Sequence, residues 1–120
     1  MVLIDLISGN NCIPVSRELC AAIGPAEAVL YCELLDQHRF WEKCEELDDE
    51  GMFPSSVEQI QNRTGLSKDQ QPRYLKKLSE LGLLKVARKG IPSKRFVKIF
   101  DNPQFLQKVY AKNPDKSRST

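Results

Sequence analysis

The 120-residue sequence has a single histidine, His38, and that scarcity narrows its chemistry. A nucleophile activated by a neighbouring base has no partner in sight, because no further group supports cysteine–histidine catalysis. None of the four cysteines, at 12, 20, 32 and 44, forms a C-x-x-C pair, and His38 follows no ligand spacing. A zinc site is therefore not expected, and a disulfide framework would be out of place in a cytosolic chain. Cys20 and Cys32 read as small core residues, Cys12 and Cys44 as incidental. The glycines form no phosphate-cradling loop. These absences argue against an enzyme and against a cofactor. No run of about 18 apolar residues exists, so no membrane span is expected. The opening MVLIDLISGNN has no basic residue and carries Asp5, which makes a poor signal peptide. A cytoplasmic protein is the expectation.

The small net charge of +2 conceals a strong asymmetry. Residues 1–62 carry 3 basic and 12 acidic side chains, a balance of −9, whereas residues 63–100 carry 11 basic and 2 acidic, a balance of +9. Segregated positive charge concentrates potential on one part of the molecule and suggests a polyanionic partner.

The length suits one domain, placed at residues 1–112, followed by a polar tail at 113–120. Ser16 reads as the N-cap of a helix that Gly24 stops. Pro25 suits the first turn of a second helix, predicted to run to Leu47. Its stripe of Ala26, Leu30, Leu34 and Trp41 is widened by Val29, Cys32 and Leu35. Apolar residues over so much of the circumference must be covered on more than one side, by the rest of the domain or by a second copy in a homodimer through the helix at 25–44. Met52–Phe53–Pro54 suggests a brief strand. Ser55 or Ser56 caps a third helix, which points Val57 and Ile60 inward and ends at Gly65. A fourth helix packs Tyr74, Leu75, Leu78 and Leu81 and stops at Gly82. Pro72 fits that helix if its regular turns begin at 69–70, with the cap at Asp69, because a proline in the first turn loses no intrahelical bond. LLKVARK and KRFVKIF are strands around GIPS, and NPQFLQKVY is a short C-terminal helix.

This order predicts a mainly α fold with a small β-hairpin: a winged helix-turn-helix with extra N-terminal helices and a short C-terminal helix. On the fourth helix Gln70, Arg73, Lys76 and Lys77 fall on or near the side opposite the core, with Lys68 and Asp69 at the N-terminal end. That division suits a recognition helix in a major groove, where Arg and Gln read base edges and Lys neutralises phosphates. Asp69 caps the helix or accepts from a cytosine amino group. The hairpin adds Lys85, Arg88, Lys89, Lys94, Arg95 and Lys98. Strand alternation makes Val86 and Phe96 inward candidates, while Lys89, Lys94 and Arg95 flank the tip. A charge run is often only a solvated face, and edge strands carry lysine against aggregation. The helix-turn-helix pattern and the segregation of the acids favour double-stranded DNA instead.

CIPVSRELCAAIGPAEAVLYCELLDQHRFW resembles the N-terminal helical segment of winged-helix replication proteins of phages and plasmids: replication initiators of the RepA N-terminal type and DnaD-like replisome organisers. The shared features are Ile23–Gly24, Glu27–Ala28 and Trp41. GMFPSSVEQIQNRTGLSKDQQPRYLKKLSELGLLKV resembles their helix-turn-helix, and RKGIPSKRFVKI their wing. The resemblance spans about residues 12–105. It implies sequence-specific binding of double-stranded DNA at a replication origin, often as a dimer and alongside other replication proteins. Lys68, Gln70, Arg73, Lys76 and Lys77 would serve the recognition helix, and Lys89, Lys94 and Arg95 the wing. Pro72 departs from the basic or polar residue expected there. The alternatives are a winged-helix transcriptional regulator, or a protein-interaction winged helix using the acidic run Glu45, Glu46, Asp48, Asp49 and Glu50.

Overall fold

The computed structural model describes residues 12–100. The predicted helix over 102–110, the domain end at 112 and the tail at 113–120 lie outside the described residues. Within them the elements are α1 (Arg17–Ile23), α2 (Pro25–Lys43), β1 (Phe53–Pro54), α3 (Val57–Thr64), α4 (Gln70–Glu80), β2 (Leu84–Lys89) and β3 (Lys94–Ile99). The three strands form an antiparallel sheet in the order β1-β3-β2. This is the winged helix-turn-helix expected from the sequence.

Local signals set most boundaries. The Ser16 hydroxyl accepts from the Leu19 N–H, supplying a partner to a free donor at the start of α1. Gly24 ends α1, and Pro25 opens α2 where no intrahelical partner is lost. Ser56, the second of the two candidates, caps α3 through the Gln59 N–H. Gly65 leaves α3 at φ 81°, a left-handed conformation that a side chain strains.

α2 is shorter than predicted, ending at Lys43 rather than Leu47. Two causes are visible. The acids that follow would sit at the negative end of the helix dipole. Asp48 Oδ1 instead accepts from the N–H groups of Glu50 and Met52, organising a turn that carries the chain into β1.

α2 is the central pillar. Ala28, Leu30, Tyr31, Cys32 and Leu34 are buried on it, against α1, α3, α4 and β3. Its broad apolar circumference is thus covered by this same domain. Leu19 and Ile23 of α1, Phe53 of β1, Ile60 of α3, Leu75 and Leu78 of α4, and Leu84 and Val97 of the hairpin join them in the core. Cys32 is buried and Cys20 packs beside the core, while Cys12 and Cys44 are exposed.

A polar chain crosses this core. Arg63 Nε meets the buried Glu33 carboxylate at 2.7 Å, and Gln37 Nε2 donates to the same oxygen at 2.9 Å. Ser55 Oγ donates to Gln37 Oε1 at 2.9 Å. The Ser55 carbonyl then accepts from Arg95 Nε at 2.9 Å, and Arg95 Nη2 donates to Gln71 Oε1 at 3.0 Å. Gln71 closes the chain by donating to the carbonyls of Val57 and Leu66. Side chains from α2, α3, α4 and β3 are therefore held in one register by groups that satisfy one another.

Candidate nucleic-acid interface

The start of α4 is built differently from the expectation. Regular helix begins at Gln70, as Pro72 requires, but Asp69 makes no side-chain cap bond. Ser67 does that work: its hydroxyl and carbonyl accept from the Gln70 N–H, and Gln70 Oε1 accepts from the Ser67 N–H at 2.9 Å. This is a reciprocal capping box. It seats Lys68 and Asp69 in an exposed turn ahead of the helix. It also engages Gln70 in capping, so the predicted base-reading Gln70 has its amide oxygen turned to its own backbone.

The hairpin register decides which wing residues face the rest of the domain. Leu84 pairs with Ile99, Val86 with Val97, and Arg88 with Arg95. With a two-residue side-chain period, these six share the face toward the core and α4. Val86 is inward, as expected. Phe96 is not: it pairs with Ala87 on the other face, where Lys89 Nζ lies 5.5 Å from its ring centroid. Arg95 takes the inward place instead, at the end of the sheet where backbone and amide oxygens replace the apolar core. It is only 9% exposed, so the reading of Arg95 as an open tip residue is corrected. Burial lowers its pKa, helped by the charge of Arg88 and opposed by that of Glu58.

The predicted cations fall into two groups. Lys68, Lys76 and Arg95 line a groove between α4 and the hairpin, and Lys68, Lys94 and Arg95 line an adjoining one between the start of α3 and the hairpin. The first, about 510 Å³, runs beside Lys68, Asp69, Pro72, Lys76 and Ser79 of α4 and its approach, against Val86 and Arg88 of β2. The other, about 580 Å³, runs past the start of α3 to Lys94 and Trp41. Val57, Lys68, Arg88 and Arg95 border both. Arg88 was absent from the predicted site set. The pairing of Arg88 with Arg95 puts it there, and pairing is not visible in a lone basic strand.

The second group is engaged elsewhere. Lys77 Nζ binds Glu27 at 2.7 Å and the Ile23 carbonyl at 2.8 Å, joining α4 to the α1–α2 junction. Desolvation works to raise the Glu27 pKa, but the hydrogen bond from Lys77, the residue's own backbone, and the charges of Lys77 and Arg73 outweigh it, leaving a net lowering. Lys89 Nζ lies 2.8 Å from both Asp48 and Glu50. Its pKa is raised by those two carboxylates, and the hydrogen bond from Lys89 is the main cause of the lowered Asp48 pKa. Arg73 is exposed; it stacks 5.1 Å from the Tyr74 ring and donates to the Tyr74 hydroxyl.

Among the described residues, Lys68, Lys76, Arg88, Lys94 and Arg95 form no ion pair, and no cluster of potential metal ligands is present. No helix among them is long and apolar enough to cross a membrane.

No protein-family model matches the chain, and no curated protein matches it significantly. Solved structures share its fold, two of them as follows. One, described as "N-Terminal domain of DNA binding protein", is 18% identical with a TM-score of 0.59, over 96% of this chain and 94% of its own. The other, described as "Structure of Rep-DNA complex", is likewise 18% identical with a TM-score of 0.59, over 96% of this chain and 95% of its own.

Proposed function

We propose that this chain is a double-stranded DNA-binding domain acting in phage or plasmid replication initiation. In this reading α4 enters the major groove and the β2–β3 hairpin lies beside it on the backbone. The observation that carries it is the groove between these two elements. Lys68, Lys76 and Arg88 border it and Lys94 borders the adjoining groove, none with an ion-pair partner among the described residues, while Lys77 and Lys89 are neutralised away from it. A polyanion supplies the missing partner and releases its own counterions. The fold shared with a Rep–DNA complex and with the N-terminal domain of a DNA-binding protein supports the same reading.

Sequence-specific binding is part of the proposal. Exposed Arg73 and Lys76 are the residues placed to read guanine edges, and Lys94 the one placed on phosphate. Selection from a random duplex pool tests this. The expected product is one recurring motif, arranged as clustered repeats if the role is initiation; a lone palindrome would point to a transcriptional regulator. Lys76→Ala should weaken binding to the selected site more than to random duplex, and Lys94→Ala should weaken both alike. Equal loss in both variants would remove α4 as the reading element. The proposal includes the homodimer through α2; Phe40, 61% exposed near the end of that helix, is the apolar surface it leaves available. Sedimentation at several concentrations decides it.

A further inference from the structure

Arg95 is the strongest unexplained charge in the described domain. It is nearly buried, yet its protein partners are neutral: the Ser55 carbonyl on Nε and Gln71 Oε1 on Nη2. Nη1 has no hydrogen-bond partner among the described residues and is not among the buried unpartnered atoms, so it opens on the groove. Directly across the hairpin stands a second cation, Arg88, its register partner on the same face. Like charges placed opposite each other on a sheet destabilise it. Lys68 borders the same space from the turn before α4. Glu58 and Asp69 also border the groove, but neither forms an ion pair with any of the three. A buried cation without a counterion is costly, and a fork of guanidinium donors matches a tetrahedral oxyanion.

We propose that Lys68, Arg88 and Arg95 form a seat for one phosphate group where the hairpin meets the start of α4. Arg95 is the fixed member, its plane set by Ser55 and Gln71. Arg88 and Lys68 close on the anion from either side. The proposed function supplies a backbone phosphate of DNA as the occupant, so this inference rests on that reading; free phosphate is the other source of the same chemistry. Such a seat fixes the hairpin's depth against the duplex, because its anchor is continuous with the polar chain through the core.

The test uses the full chain and two probes. Inorganic phosphate is titrated at constant ionic strength and followed by NMR at the Arg95 Nε–Hε and at the amides of Lys68 and Arg88. Saturable shifts confined to these groups are expected. Arg88→Gln and Lys68→Gln, both exposed side chains, should each weaken the binding about tenfold, the equivalent of losing one charge-assisted bond of about 1.4 kcal/mol. Lys85→Gln, on the other face of the hairpin, should leave it unchanged. Diffuse, unsaturated shifts, or an Arg88→Gln chain that binds as before, would overturn the seat. The second probe is a DNA duplex. Arg88→Gln should flatten the slope of log affinity against log salt by about one contact. Saturable phosphate binding with an unchanged duplex slope would overturn the backbone phosphate as occupant and assign the seat to free phosphate. A wild-type chain that binds no duplex defeats the proposed function, and the phosphate titration then decides the seat alone.

Discussion

Gln71 is fully buried, an unusual place for an amide, and both ends of the side chain are used. The nitrogen donates to two carbonyls, from the start of α3 and from the turn before α4, and the oxygen holds Arg95. Replacing it by leucine keeps the volume and strands three partners. We expect Gln71→Leu to cost about 1–3 kcal/mol per group left unsatisfied, read as a lower urea midpoint with an unchanged m-value. A midpoint equal to wild type would mean that water replaces the amide at no cost. Arg63→Ala probes the far end of the chain, where it leaves the 2%-exposed Glu33 with only Gln37 on that oxygen. A loss of about 1–3 kcal/mol is expected by the same measurement. Neither role was legible in the sequence. The sequence offered no role for Gln71, and Arg95 read as a tip residue. What a polar side chain faces depends on strand pairing and on which backbone oxygens end nearby, and neither is a local property.

At the scale of elements, the punctuation of the chain was readable and its length less so. Ser16, Gly24, Pro25, Ser56 and Gly65 each sit at the predicted boundary, because caps and left-handed turns are chemistry of one or two residues. Asp69 occupies the predicted N-cap position of α4 but makes no cap bond, and Ser67 accepts in its place, since Pro72 fixes where regular helix begins but not which side chain collects the free N–H groups. Ser67→Ala should therefore cost about 1 kcal/mol, and Asp69→Ala almost nothing, in thermal or urea unfolding. The opposite ranking would restore Asp69 as the cap. The end of α2 was missed because Asp48 organises the turn through contacts made four residues downstream. That turn also ties Lys89 to the acidic segment, which gives it a pH signature. The lowered Asp48 pKa means its contribution is present above the ordinary carboxylate range and is lost as pH falls through the lowered value. The stability gap between wild type and Asp48→Asn should be constant near neutral pH and shrink on acidification below that range. A gap that stays open at low pH would remove the Asp48–Lys89 pair as its source.

Across the whole molecule, charge is sorted rather than merely unbalanced. The acidic half supplies partners for Lys77, Lys89 and Arg63, and so consumes cations away from the groove. Lys68, Lys76 and Arg88, which border the groove between α4 and the hairpin, form no ion pair among the described residues. The fold class and the basic segment were legible because helical periodicity, turn residues and net charge are additive along the chain. The division of the cations was not, because it is set by which acids the folded chain brings within reach. The acidic run is correspondingly less available to a basic protein partner, since Asp48 and Glu50 already hold Lys89.

Whether this groove faces duplex DNA is read by fluorescence anisotropy of a labelled random-sequence duplex titrated with the chain across a range of salt. Binding at low salt should weaken steeply as salt rises, with a log–log slope near −0.9 for each phosphate neutralised and a value of about −3 to −5 for the cations left free in the groove and beside it. An absence of binding at low salt, or binding indifferent to salt, would contradict it.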